Sequence, residues 1–198
     1  MTQPRKFWMR WRVRVGYPVA AIYLLLARPL PRSILWGAMI AVVGLIVRGA
    51  ASGHLRKDRE LAVGGPYART RNPLYFGSAL LAAGFVVAGR SVWAGALVTV
   101  YFAVFYYAVM RNEERDLHNR FGAAFDEYAR RVPLFFPSIT GGCASEPSSA
   151  GEAAGSANGK KFSWAQYRRN REYRAFIGTI AGLGILWLRM ELRNRLGY

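Results

Sequence analysis

Residues 92–110 form a run of 19 residues without a single charged side chain. As a helix, such a run rises about 1.5 Å per residue and matches the roughly 30 Å hydrocarbon thickness of a bilayer. A helix that is apolar all round must be hidden on every side, by lipid or by a large protein core. The rest of the chain repeats the pattern. Residues 13–30, 33–47 and 74–88 are apolar blocks, and residues 175–188 form a shorter one. The expected fold is all-α: a polytopic membrane protein with four core transmembrane helices. A C-terminal helix, interfacial or a fifth span, completes it.

Charge lies between the blocks. The net charge is +17, which in a water-soluble chain would suggest nucleic acid. Here Lys and Arg flank apolar spans, where they meet anionic lipid headgroups, and no nucleic-acid partner is expected. Arg5, Lys6, Arg10, Arg12 and Arg14 precede or open the first block, and Arg56, Lys57, Arg59, Arg69 and Arg71 lie in the loop at 54–72. The link between blocks one and two holds only Arg28 and Arg32, and the turn between blocks three and four only Arg90. Basic residues favour the cytosolic side. The N-terminus, the 54–72 loop and residues 111–174 are therefore expected to face the cytosol.

The connections carry turn signals. Pro29 and Pro31 break the first apolar block, and Gly64-Gly65-Pro66 marks a turn. Gly37, Ala38, Ala41 and Gly44 permit close helix contact in the first hairpin. Beyond residue 113 the helix is expected to continue as an amphipathic one, with Leu117, Phe121, Phe125 and Tyr128 on one face. Residues 1–140 read as a membrane-embedded domain, 141–159 as a Gly/Ser/Ala-rich flexible linker, and 160–198 as a basic membrane-associated helix. The lone Cys143 forms no intrachain disulfide. His54 and His118 lack metal-ligand spacing, and no metal is expected.

Two polar segments stand out at the expected cytosolic face. In Arg71-Asn72-Pro73-Leu74-Tyr75, Pro73 suits the first turn of a helix and Asn72 its cap. The same geometry presents free N–H groups and a positive dipole end to a ligand, with Tyr67 and Tyr75 as aromatic or hydroxyl partners. In Arg111-Asn112-Glu113-Glu114, the paired carboxylates are either solvated beside Arg111 and Arg115 or bind a cationic or hydroxyl-rich cofactor. In the second case Arg111 faces an anionic substrate group.

The order of these motifs resembles a known family. The segments GPYARTRNPLYFG and, after an apolar hairpin, RNEERDLHNRFGAAFDEYARRVPLFFP are similar to isoprenylcysteine carboxyl methyltransferases and the related phospholipid methyltransferases, over residues 48–137. The upstream GHLRKDREL resembles bacterial members. The resemblance implies S-adenosylmethionine as cofactor, held by His54, Arg59, Glu60, Leu61 and Ala62 (a strand-like stretch from Arg59), Tyr67, Asn72, Pro73, Leu74, Tyr75 and Glu113. It implies Glu114 as a supporting residue and Arg111 as the substrate-orienting arginine. Asn72 stands where eukaryotic members have histidine; it binds but does not titrate.

A carboxylate acceptor is ionised at neutral pH and needs alignment rather than a base. An amine would need a base, for which Glu113 and Glu114 are candidates. A lipophilic substrate is expected to enter sideways from the bilayer. Two other readings share the helical layout. One is a membrane NADPH-dependent reductase of the sterol or steroid type; the other is a non-catalytic scaffold whose basic C-terminal helix binds the partner.

Overall fold

The structure, a computed structural model, describes residues 3–55, 61–138 and 162–196, with side chains from Arg10 onward. The expected linker at 141–159, Cys143, and the site candidates Arg59 and Glu60 lie outside the described residues. The elements are α1 (Gln3–Leu26), α2 (Pro31–His54), a 3-10 turn (Gly65–Ala68), α3 (Pro73–Gly89), α4 (Val92–Phe121), α5 (Ala123–Arg131), α6 (Trp164–Arg169) and α7 (Tyr173–Arg195). No strand occurs among the described residues, so the protein is all-α. Leu61 and Ala62, expected in a strand-like stretch, lie in irregular chain before the turn.

Three helices, α2, α4 and α7, are long and apolar enough to cross a membrane, and α3 is a shorter apolar helix. Their packing is that of a membrane bundle, with small residues at the contacts and large apolar ones outside. A Cβ on Gly84 would lie 2.6 Å from the Gly37 carbonyl oxygen, and one on Gly44 would lie 2.8 Å from that of Gly77. These glycines let α2 and α3 approach backbone to backbone. Leu35, Trp36, Met39, Val43 and Ile46 of α2 remain exposed, as do Val92, Trp93, Val100 and Val104 of α4. On a protein in water such faces would be a large apolar patch; here they are the lipid-facing surface.

The first apolar block ends earlier than 13–30. Helix α1 stops at Leu26, because residues 27–30 turn back through Pro29, with the Arg28 N–H donating to the Gly89 carbonyl at 2.7 Å. The reversal before α4 uses Arg90 in the left-handed region (φ 46°) and Ser91, whose hydroxyl accepts from the Ala94 N–H at 3.3 Å. The amphipathic continuation of α4 is interrupted once. At Gly122, φ is +51°, and α5 starts in a new direction. Phe125, Tyr128 and Val132 are buried there against Leu61, Val63, Leu117 and Phe121.

Helix α7 runs antiparallel to α2 through the height of the bundle. Its N-terminal flank meets Arg48 through Glu172, and its far end meets the α1–α2 link through Arg189 and Arg193. That course excludes an interfacial helix lying across one end. The arginines at its end have a structural use. Arg189 donates to the carbonyls of Leu25 (2.8 Å) and Ala27 (3.1 Å), and Arg193 to that of Pro29 (3.4 Å). They satisfy carbonyls that the end of α1 leaves without helical donors. Leu186 and Met190 of α7 complete a core with Tyr23, Ala27, Ile34, Ala88 and Ala94.

Candidate functional site

The start of α3 is held from outside the helix. Thr70, Arg71 and Asn72 lie along residues 133–135, the Val-Pro segment that follows α5. The Arg71 N–H donates to the Pro133 carbonyl (2.9 Å), the Thr70 hydroxyl to that of Phe135 (2.9 Å), and the Asn72 side-chain amide to that of Leu134 (3.0 Å). Asn72 therefore does not cap α3 with its side chain, as its position in the sequence suggests; its amide is committed to residue 134. Pro73 occupies the first helical turn, where no N–H is required. This leaves Leu74 as the first residue of α3 with an N–H to offer.

The adjacent carboxylates of α4 face different partners. Glu113 accepts a hydrogen bond of 2.7 Å from the Tyr75 hydroxyl. The Tyr75 ring meets Tyr106 edge-on at 5.7 Å, and Tyr106 stacks on Phe102 at 4.0 Å. Glu114, only 8% exposed, forms ion pairs with Arg71 and, at 3.1 Å, with Arg111. Burial of a carboxylate is tolerated when cations hold it, and here both cations come from expected site segments. Glu114, Arg71 and Arg111 line an open cleft of about 340 Å³ with Arg115, His118, Asn119 and Phe125. Glu113 is not part of that lining; its hydrogen bond goes to Tyr75.

Tyr67 and His54 lie on the other flank. Tyr67 is 7% exposed, and the Tyr128 hydroxyl donates to its carbonyl at 2.7 Å. Burial, and then the nearby Glu113 charge, push the Tyr67 phenol well above its ordinary value; burial does the same for Tyr128. The Nδ1–H of His54 donates to the Ala50 carbonyl at 2.7 Å. The His54 ring lies so close to Gly65 (φ +60°) that a Cβ there would be 2.8 Å from Nε2. Leu61 packs under α5, a core contact that braces this flank.

Several residues here carry no motif. Arg48 donates to both Glu172 carboxylate oxygens (2.9 and 3.1 Å), to Ser78 and to the Leu74 carbonyl (3.4 Å). It thus ties α2, α3 and the start of α7 together. A lone Arg at the end of an apolar helix was the available signal. Gln166 donates to Leu55 (2.7 Å) and Asn170 to Ser52 (2.8 Å), and Phe162 meets the His54 ring edge-on at 6.3 Å. Among the described residues, no three His, Cys, Asp or Glu side chains gather as a metal-ligand set.

The fold and these contacts define a helical membrane protein whose polar, aromatic-lined groups gather at the end of α2, the start of α3 and the Arg111–Glu114 turn within α4. Residues 33–124, from the start of α2 to the start of α5, match the model of the phospholipid methyltransferase family. The chain is 39% identical over 85 residues to the nickel-cobalt-cadmium resistance protein NccN of Alcaligenes xylosoxydans xylosoxydans. It is 40% identical over 85 residues to the cobalt-zinc-cadmium resistance protein CzcN of Cupriavidus metallidurans. Each match covers 43% of this chain and 39% of the relative. No solved structure is significantly similar to the chain. Methyltransferases of this family generally use S-adenosylmethionine.

Proposed function

We propose that this protein transfers a methyl group from S-adenosylmethionine to a carboxylate, or a similar group, of a lipophilic acceptor. The observation that carries the reading is the Tyr75–Glu113 pair beside the start of α3. The pair supplies a carboxylate for the ammonium or sulfonium of the donor. The Leu74 N–H at the helix start suits the donor's carboxylate, while Tyr67, His54 and Asn72 offer polar and aromatic surface around them. The residues present therefore fit the cofactor in charge and chemistry. Arg59, Glu60, Leu61 and Ala62 remain part of the proposed donor site through the family resemblance.

Bound S-adenosylmethionine would supply an electrophilic methyl on a cationic sulfur. What the chain must add is alignment and exclusion of water. A carboxylate acceptor needs no base. The Arg111–Glu114–Arg71 set is proposed to act by position: it fixes the turn that carries Asn72 and Pro73. The proposed orientation puts this end in the cytosol, with the basic flanks on anionic headgroups and the acceptor's tail in the bilayer.

The test is calorimetric binding of S-adenosylhomocysteine to detergent-purified protein, wild type and Glu113→Ala, with NADPH as a second ligand. Binding that falls at least tenfold in the variant is expected, since a charge-assisted contact is worth about 1.5–3 kcal/mol. Binding of NADPH alone would replace this reading with that of a reductase.

A further inference from the structure

Several arginines of this bundle are committed to carboxylates or carbonyls. Arg48 holds Glu172, Arg71 and Arg111 hold Glu114, and Arg189 and Arg193 hold carbonyls at the end of α1. Arg12 differs. It is half-buried where α1 packs on α4 and, like Arg14 over Trp11, forms no ion pair among the described residues. Its guanidinium lies 5.5 Å from the centre of the Tyr106 ring. A cation–π contact contributes about 0.5–2 kcal/mol and leaves the five N–H donors of the guanidinium free to bind an anion.

The position of Arg12 is built rather than incidental. The Tyr101 hydroxyl donates to the Arg12 carbonyl at 2.8 Å, and Gly16, one turn on, leaves room for that hydroxyl: a Cβ there would be 3.0 Å from it. This contact fixes the rotation of α1 against α4 and so aims Arg12 at Tyr106. From there a continuous line of contacts leads inward. Tyr106 meets Tyr75 edge-on, and Tyr75 donates to Glu113. Outward, Val13 and Tyr17 of α1 and Val104 of α4 are exposed apolar side chains, a surface for an acyl or other hydrocarbon tail.

We propose that Arg12 receives the anionic head of the lipophilic acceptor, so that the acceptor enters between α1 and α4 with its tail in the bilayer and its charge toward the Tyr75–Glu113 pair. The proposal rests on the methyltransferase reading and deepens it by naming the acceptor's chemistry: an anionic group on a hydrocarbon tail, either carboxylate or phosphate. Arg12 lies before the family-matched segment, which begins at residue 33. The role differs from that of Arg111, whose charge is shared with Glu114 in the open cleft on the other flank.

The experiment compares binding of oleate with that of oleyl alcohol, which has the same tail without the charge, to the full-length protein in a neutral detergent. Wild type, Arg12→Gln and Arg12→Lys are measured, and S-adenosylhomocysteine binding is recorded for each. The wild type is expected to prefer the acid by about tenfold, the value of one charge-assisted contact. Arg12→Gln should abolish the preference, Arg12→Lys should retain part of it, and cofactor binding should be equal in all three. Lysophosphatidate in a parallel series identifies phosphate as the head group if its affinity depends on Arg12 more steeply than that of oleate, and carboxylate if less. Equal acid preference in wild type and Arg12→Gln, or no preference in the wild type, would overturn the proposal. An Arg12-dependent preference in a protein that does not bind S-adenosylhomocysteine would uphold the anion site and sink the methyltransferase reading instead.

Discussion

Tyr67 and Tyr128 show how a residue's chemistry here is set by burial. Both phenols are raised above the ordinary value of about 10, first by desolvation. A group raised in the folded state contributes stability that is complete below its unfolded value and lost as pH rises past it. These two tyrosines therefore stabilise the fold up to about pH 10, and alkaline unfolding should begin above that. In a pH titration, phenolate absorbance should show a late component that appears only as helical circular dichroism is lost. Replacing both residues with Phe should shrink that component. A late component of unchanged size would mean that other tyrosines carry it. Tyr128→Phe also removes the hydrogen bond to the Tyr67 carbonyl, at a cost of about 1 kcal/mol.

At the scale of elements, the C-terminal helix and the family-matched bundle are joined by a buried ion pair. The Arg48 and Glu172 side chains are 21% and 10% exposed. Removing one partner of such a pair leaves the other charge stranded and costs about 3 kcal/mol. Glu172→Gln should lower the thermal unfolding temperature in detergent, and the swap Arg48→Glu with Glu172→Arg should recover part of the loss. Equal destabilisation by the single variant and the swap would mean that packing, not charge, matters at this contact. Gly37 and Gly44 recur at helical spacing in an apolar run, which made a close helix contact legible, but the sequence assigned it to the first hairpin; the structure gives it to α3, with Gly37 on Gly84 and Gly44 on Gly77. The Arg48–Glu172 contact was not legible, because 124 residues separate its members and neither belongs to a motif.

For the whole molecule, the basic flanks and the candidate site share one end, and Arg90 marks the other. If the site end faces the cytosol, single cysteines in a Cys143→Ser background should report it. Asn119→Cys should react with a membrane-impermeant maleimide in inverted vesicles only, and Arg90→Cys in right-side-out vesicles only. The reverse pattern would overturn the orientation. Positive charge is disfavoured at the end opposite the basic flanks, and Arg189 and Arg193 of α7 lie at that end. In the structure they serve the carbonyls at the end of α1, which lowers the cost of their position.

The sequence by itself determined that this chain is a helical membrane protein. An uncharged 19-residue run and its companion blocks admit few other solutions. Motif order also marked the turn at Gly65, the Pro73 helix start and the Glu pair, because these features are local: a backbone break, a missing N–H, neighbouring charges. Only the tertiary structure decided which way each side chain turns. Glu113 and Glu114 are adjacent in sequence, yet α4 directs one to Tyr75 and the other to Arg71 and Arg111. Asn72 looks like a cap until the 133–135 segment takes its amide. Arg12 is one of several basic residues in the N-terminal segment until α1 docks on Tyr101. Side-chain direction depends on helix rotation, and helix rotation is fixed by contacts between residues far apart in the chain.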